Sequence, residues 1–110
     1  MIKGVGVDIV NLKRIEKLLQ RYDKKFLERI LCKEEIEEAN KRENKVEFIG
    51  GRFAVKEAIK KSLDKNVPFK ELCILQNPDG KIFLRGYQNV LISISHEKEF
   101  AIGLAIRVEI

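Results

Sequence analysis

Residues 49–63, IGGRFAVKEAIKKSL, constrain this chain more than any other stretch. At helical spacing Ile49, Phe53, Ala54, Ala58, Ile59 and Leu63 form an apolar stripe. Arg52, Lys56 and Lys60 lie four apart and form a basic ridge, with Glu57 and Lys61, also four apart, beside it. The spacing predicts a helix with one buried side. One carboxylate among four cations suits a metal-bound phosphate. The cations neutralise phosphate oxygens, and the carboxylate holds a hard divalent ion against them. The plainer alternative is a solvated face laced with intrahelical ion pairs. Gly50 and Gly51 each cost about 1 kcal/mol in a helix relative to alanine. That cost implies close approach by another element or a ligand.

Ahead of this helix, residues 2–10 read as a strand. Val5, Val7 and Ile9 share one face, and Gly4, Gly6 and Asp8 share the other. The glycine face is bare, so another backbone or a ligand can come close to it. Asp8 sits at the end of that face, either capping the following turn or acting as a metal ligand. Asn11 is a good N-cap for LKRIEKLLQRY, and Asp23 for KKFLERIL. Residues 11–29 hold seven Lys/Arg against three Asp/Glu, the most basic segment of the chain. It reads either as a solvated face or as a docking surface for an acidic helix, with Phe26 as an apolar anchor. KEEIEEANKRE, residues 33–43, is a third, mostly polar helix.

Beyond Asp64, Asn66 and Pro68 the pattern changes to period two. ELCILQ and KIFLR flank NPDG as a hairpin, and VLISISH and FAIGLAIRVEI are two further strands. The order of one strand, about four helices and about four strands predicts an α+β fold with a mostly antiparallel sheet covered by helices.

With 110 residues the expected organisation is one domain, 1–110. The net charge of +5 lies entirely in residues 1–62, where an anionic partner should dock. Cys32 and Cys73 stand apart in apolar surroundings and are expected to be buried free thiols of a cytoplasmic protein. One histidine and no cysteine cluster argue against structural zinc. No apolar run approaches the ~18 residues a membrane span needs.

Three sparse signals occur in order: GVGVD, RFAVKEAIKK and SISH. With LKRI…ERIL and the AIGLAI ending, they cover nearly the whole chain, which thereby resembles the small single-domain 4′-phosphopantetheinyl transferases, the holo-[acyl-carrier-protein] synthases. The resemblance implies Mg²⁺-dependent transfer of 4′-phosphopantetheine from coenzyme A to a serine of apo acyl carrier protein, in fatty acid biosynthesis. It implies Asp8 and Glu57 as metal carboxylates. Lys61 would act on the pyrophosphate and the departing bisphosphate, and Lys56 would contact phosphate or orient Glu57. Arg52 and His96 would lie near the nucleotide, His96 with Ser93 or Ser95 toward the 3′-phosphate. Arg14, Arg21, Lys25, Phe26 and Arg29 match the family's carrier-protein surface. A homotrimer with coenzyme A between protomers is also implied. Two candidates for the general base stay open: Glu57 itself, or Glu57 through a metal-bound water. Glu97 stands where the family often has a hydroxyl residue, and Ile82 where it often has proline. The rival reading is a basic module that binds RNA or an acidic protein. It would have no use for the carboxylates Asp8 and Glu57, and the chain lacks an RNA-binding aromatic pattern.

Overall fold

The computed structural model describes residues 1–110. Strand β1 (Ile2–Asn11) leads into helices α1 (Leu12–Tyr22), α2 (Lys24–Ile30), α3 (Lys33–Lys41) and α4 (Lys45–Ser62). A short 3₁₀ turn (Phe69–Glu71) precedes β2 (Ile74–Gln76), β3 (Ile82–Leu84), β4 (Val90–His96) and β5 (Phe100–Val108). The α+β order is the one the sequence implies. The strands, however, divide into two antiparallel ladders, β1-β5-β4 and the β2-β3 hairpin.

Local signals place the boundaries. Asn11 Oδ1 accepts from the Lys13 amide at 2.9 Å and starts α1. Asn44 Oδ1 accepts from the Glu47 amide at 3.0 Å, so α4 begins ahead of the apolar stripe. Asp23 occupies the turn before α2 with φ +44° and makes no side-chain cap. The NPDG turn closes through Asn77 and Lys81.

Helix α4 is the centre of the molecule, not an amphipathic surface helix. Ile49, Ala54, Val55, Ala58 and Ile59 are buried, and so are Arg52 and Lys56. One cluster packs its first half against α1, α2 and α3. A second packs its latter half against Leu72, Ile74, Leu84 and Val90. The bare face of β1 lies on the α4 backbone. A Cβ on Gly6 would meet the Ala58 carbonyl oxygen at 1.9 Å. In α4, a Cβ on Gly50 would meet Leu12 Cδ2 at 2.3 Å, so the helix glycine admits α1. The other face of the sheet is left open. Val5, Val7, Ile9, Leu91, Ile102 and Leu104 are exposed there.

The cysteines depart from expectation. Cys32, at the start of α3, and Cys73, just before β2, form a disulfide. Packing of α3 on β2 brings their Cα atoms to 5.6 Å, inside the range of roughly 4.4–6.8 Å that a disulfide spans. Their separation of 41 residues concealed the pairing at the sequence level. No helix is long and apolar enough to cross a membrane.

Candidate active site

Two groups of polar residues flank α4. The first lies where β1 crosses it. The strand and helix run antiparallel: Gly4 sits over Ser62 and Gly6 over Ala58 and Lys61. Asp8 lies two residues further along β1, toward the earlier turns of α4. Lys61 reaches across this contact. Its Nζ donates to the Val7 carbonyl at 2.9 Å and to Asp8 Oδ1 at 3.2 Å. The Lys61 side chain is 55% exposed and that of Asp8 21%. Glu57, one turn before Lys61, is half-buried. Asp8 and the largely exposed Lys61 ammonium therefore meet at a solvent-accessible edge, and Glu57 stands one helical turn before Lys61 on the same helix.

The second group lines a cavity of about 510 Å³ between the start of α4, the β2–β3 turn and β4. Arg52 and His96 line it with Arg42, Glu47 and Phe48; Ser93 also lines it, although its register partner Leu104 lies on the open sheet face. The Arg52 guanidinium rests on the Phe48 ring, 4.4 Å from its centroid. His96 Nδ1 lies 3.4 Å from Glu47 Oε2. Glu97 is exposed beyond the end of β4. Ser95 does not line the cavity; it pairs in register with Ile102, and exposed Ile102 belongs to the open sheet face. Asp8, Glu57 and Lys61 do not line the cavity either.

Two residues fall elsewhere than their patterns suggest. Lys56 is fully buried. Its ammonium donates to Ile30 O at 2.7 Å, to Phe69 O at 3.2 Å and to Glu35 Oε1. All three protons are used, so a phosphate contact by Lys56 is ruled out by geometry. Phe26 is buried too, its ring 6.4 Å from that of Phe53, and it cannot be an exposed anchor. The charges around it stay outside: Arg14, Arg21, Lys25 and Arg29 are all exposed.

Sequence reasoning missed Glu35, Phe48 and Arg42. Glu35 lies three residues after Cys32, the N-cap of α3, the spacing of a capping glutamate. Its carboxylate accepts from the Cys32 amide at 2.9 Å. The Phe48–Arg52 spacing of four was a readable sign of the stacked pair.

A family model described as the 4′-phosphopantetheinyl transferase superfamily matches residues 4–105. The chain belongs to the 4′-phosphopantetheinyl transferase superfamily. A holo-[acyl-carrier-protein] synthase of Mycoplasma mycoides is 43% identical, with 97% of this chain and 96% of that protein covered. The crystal structure of a holo-(acyl-carrier-protein) synthase from Bacillus anthracis, in complex with CoA (3′,5′-ADP), is 38% identical. It superposes with a TM-score of 0.87 over 97% of this chain and 96% of that one. That of the Helicobacter pylori enzyme in complex with coenzyme A is 34% identical, with a TM-score of 0.80 over 94% and 99%. The chain is thus an enzyme of the phosphopantetheinyl transferase class, as its motifs imply.

Proposed function

We propose that residues 1–110 form one cytoplasmic transferase domain that moves 4′-phosphopantetheine from coenzyme A to a serine of an apo acyl carrier protein, serving fatty acid biosynthesis. The serine oxygen bonds to the phosphorus that carries the pantetheine arm. The phosphoanhydride bond breaks, adenosine 3′,5′-bisphosphate leaves, and the serine proton is lost. The observation that carries this reading is the exposed meeting of Asp8 and Lys61 where β1 crosses α4, with Glu57 one turn away.

The donor set fits a hard divalent ion. Asp8 and Glu57 offer only oxygen, and the Asp8 carboxylate has one oxygen beyond the one Lys61 engages. These two residues would hold Mg²⁺, which supplies charge neutralisation at the phosphate under attack. Lys61 can release Asp8 and turn to pyrophosphate oxygens, because its present contact is exposed and individually weak. Glu57, directly or through a water, would take the serine proton.

The cavity beside Arg52 and His96 suits the nucleotide end of coenzyme A, with a stacked guanidinium for phosphate. The exposed cations Arg14, Arg21, Lys25 and Arg29 suit an acidic carrier protein. The open apolar sheet face supports a homotrimer. Exposed apolar surface of that continuity marks association, and Ser95 lies on it, where a neighbouring protomer's nucleotide would reach it.

Intact-mass spectrometry of apo acyl carrier protein, incubated with the chain, coenzyme A and Mg²⁺, tests the assignment. A gain of one phosphopantetheine, lost on chelation, is the expected result. No gain from folded protein with several carrier proteins refutes it. Sedimentation of the pure chain checks the trimer.

A further inference from the structure

Glu35 is a buried carboxylate that the transfer reaction does not itself need. It is 1% exposed, yet every side of it is occupied. Oε1 accepts from the Cys32 amide and from Lys56 Nζ. Oε2 accepts from the Ile74 amide at 3.1 Å and faces Arg52 Nε at 3.9 Å. The residue therefore ties the start of α3, the start of β2 and the middle of α4 to one point.

The two cations it serves are not served equally. Lys56 has three oxygen partners. Arg52 Nε is buried without a hydrogen-bond partner. Glu35 is thus the one buried carboxylate beside two buried cations; Glu38, nearer the surface, also acts on Arg52, which is left without a hydrogen-bonded partner at Nε and lines the wall of the cavity. Burial pushes the Arg52 guanidinium down from its usual value, and Glu35 opposes that shift. Arg42 does not neutralise it, being a cation itself. Arg42 pairs with Glu38 at 2.8 Å and approaches the same Phe48 ring, 4.8 Å from its centroid. A buried charge short of partners is costly until an anion completes it. A guanidinium already held by a ring and a carboxylate gives up little further freedom on binding that anion.

We propose that Glu35 is a positioning residue for nucleotide recognition: it holds Arg52 on Phe48, incompletely paired at the cavity wall, for a phosphate of the coenzyme A nucleotide. Lys56 has the complementary part, drawing off enough of the Glu35 carboxylate that Arg52 stays available. The proposal rests on the nucleotide reading of the cavity and names how that site is set.

The test is steady-state transfer by wild type, Glu35→Gln, Arg52→Met and the double variant, with adenosine 3′,5′-bisphosphate affinity measured by calorimetry. Glu35→Gln is expected to raise KM for coenzyme A by about ten-fold, which is about 1.4 kcal/mol. Its kcat and its KM for carrier protein should stay within about two-fold. In the Arg52→Met background the same change should add almost nothing, the non-additivity expected of residues acting as a unit. If Glu35→Gln does not fold, Glu35→Asp keeps the charge, shortens the reach and carries the same prediction. Additive effects, or losses spread equally over kcat and both KM values, overturn the positioning role in favour of a purely structural one. If Arg52→Met itself leaves coenzyme A KM and bisphosphate affinity unchanged, the nucleotide reading of the cavity falls instead.

Discussion

Lys56 and Lys61 sit five residues apart on one helix, and each meets a carboxylate. Lys56 meets Glu35 with the two side chains 0% and 1% exposed, and two backbone carbonyls complete its coordination. Lys61 meets Asp8 at 3.2 Å with more than half of its side chain in solvent. The first pair cannot open without stranding a charge in the core, a loss of about 3–5 kcal/mol. The second contributes at most about 1 kcal/mol and can be exchanged for a ligand. One ion pair is scaffold and the other is available for chemistry. Their residue types are the same; the packing around them differs.

The sharpest way to break this contrast is at the partly buried carboxylates Asp8 and Glu57. Asp8→Asn and Glu57→Gln should each lower the transfer rate by about a thousand-fold, the scale of a lost transition-state charge interaction. Melting temperatures should hold, because neither group carries the fold. Next comes the buried side. Lys56→Met should cost about 3–5 kcal/mol, or roughly 12–40 °C at about 4–8 °C per kcal/mol for a domain this size, read by calorimetric melting. Reducing the Cys32–Cys73 disulfide should follow. It closes a 41-residue separation beside Glu35, for which chain entropy gives up to about 4 kcal/mol. Melting with and without a dithiol reductant measures that, and a Cys73→Ser variant should lose the difference.

The smallest effect is at acid pH. Arg85 holds the exposed Glu34 carboxyl below its ordinary value of 4.5, first by hydrogen bond and then by charge. A carboxyl lowered in the native state gives stability that is fully present above its unfolded value. That stability fades as pH falls from about 4.5 through the lowered native value. Arg85→Ala should flatten this part of the stability–pH curve by removing that small contribution at neutral pH, with variant and parent converging once pH falls below the lowered native value.

What the sequence disclosed follows the same division. Local chemistry was legible: the Asn11 cap, the NPDG turn, the bare face of β1 and the motifs bearing Asp8, Glu57 and Lys61. The fate of Lys56 was not, because its partners Ile30, Glu35 and Phe69 come from α2, α3 and the 3₁₀ turn, 13 to 26 residues away. Phe26 misled for a related reason. Its neighbours in sequence are charged, but at helical phase it joins Leu27 and Ile30 in the core. The disulfide needed the packing of α3 on β2. In each case the missing information was which third element covers the residue.

The most direct test of the contrast sets Lys61→Ala beside Lys56→Met and measures transfer rate and melting temperature on both. For Lys61→Ala the account predicts a rate at least ten-fold lower and a melting temperature within a few degrees of the parent. For Lys56→Met it predicts a large fall in melting temperature, with the folded fraction still competent in transfer at low temperature. The reverse pattern, a stable and inactive Lys56→Met with an active Lys61→Ala, would contradict it.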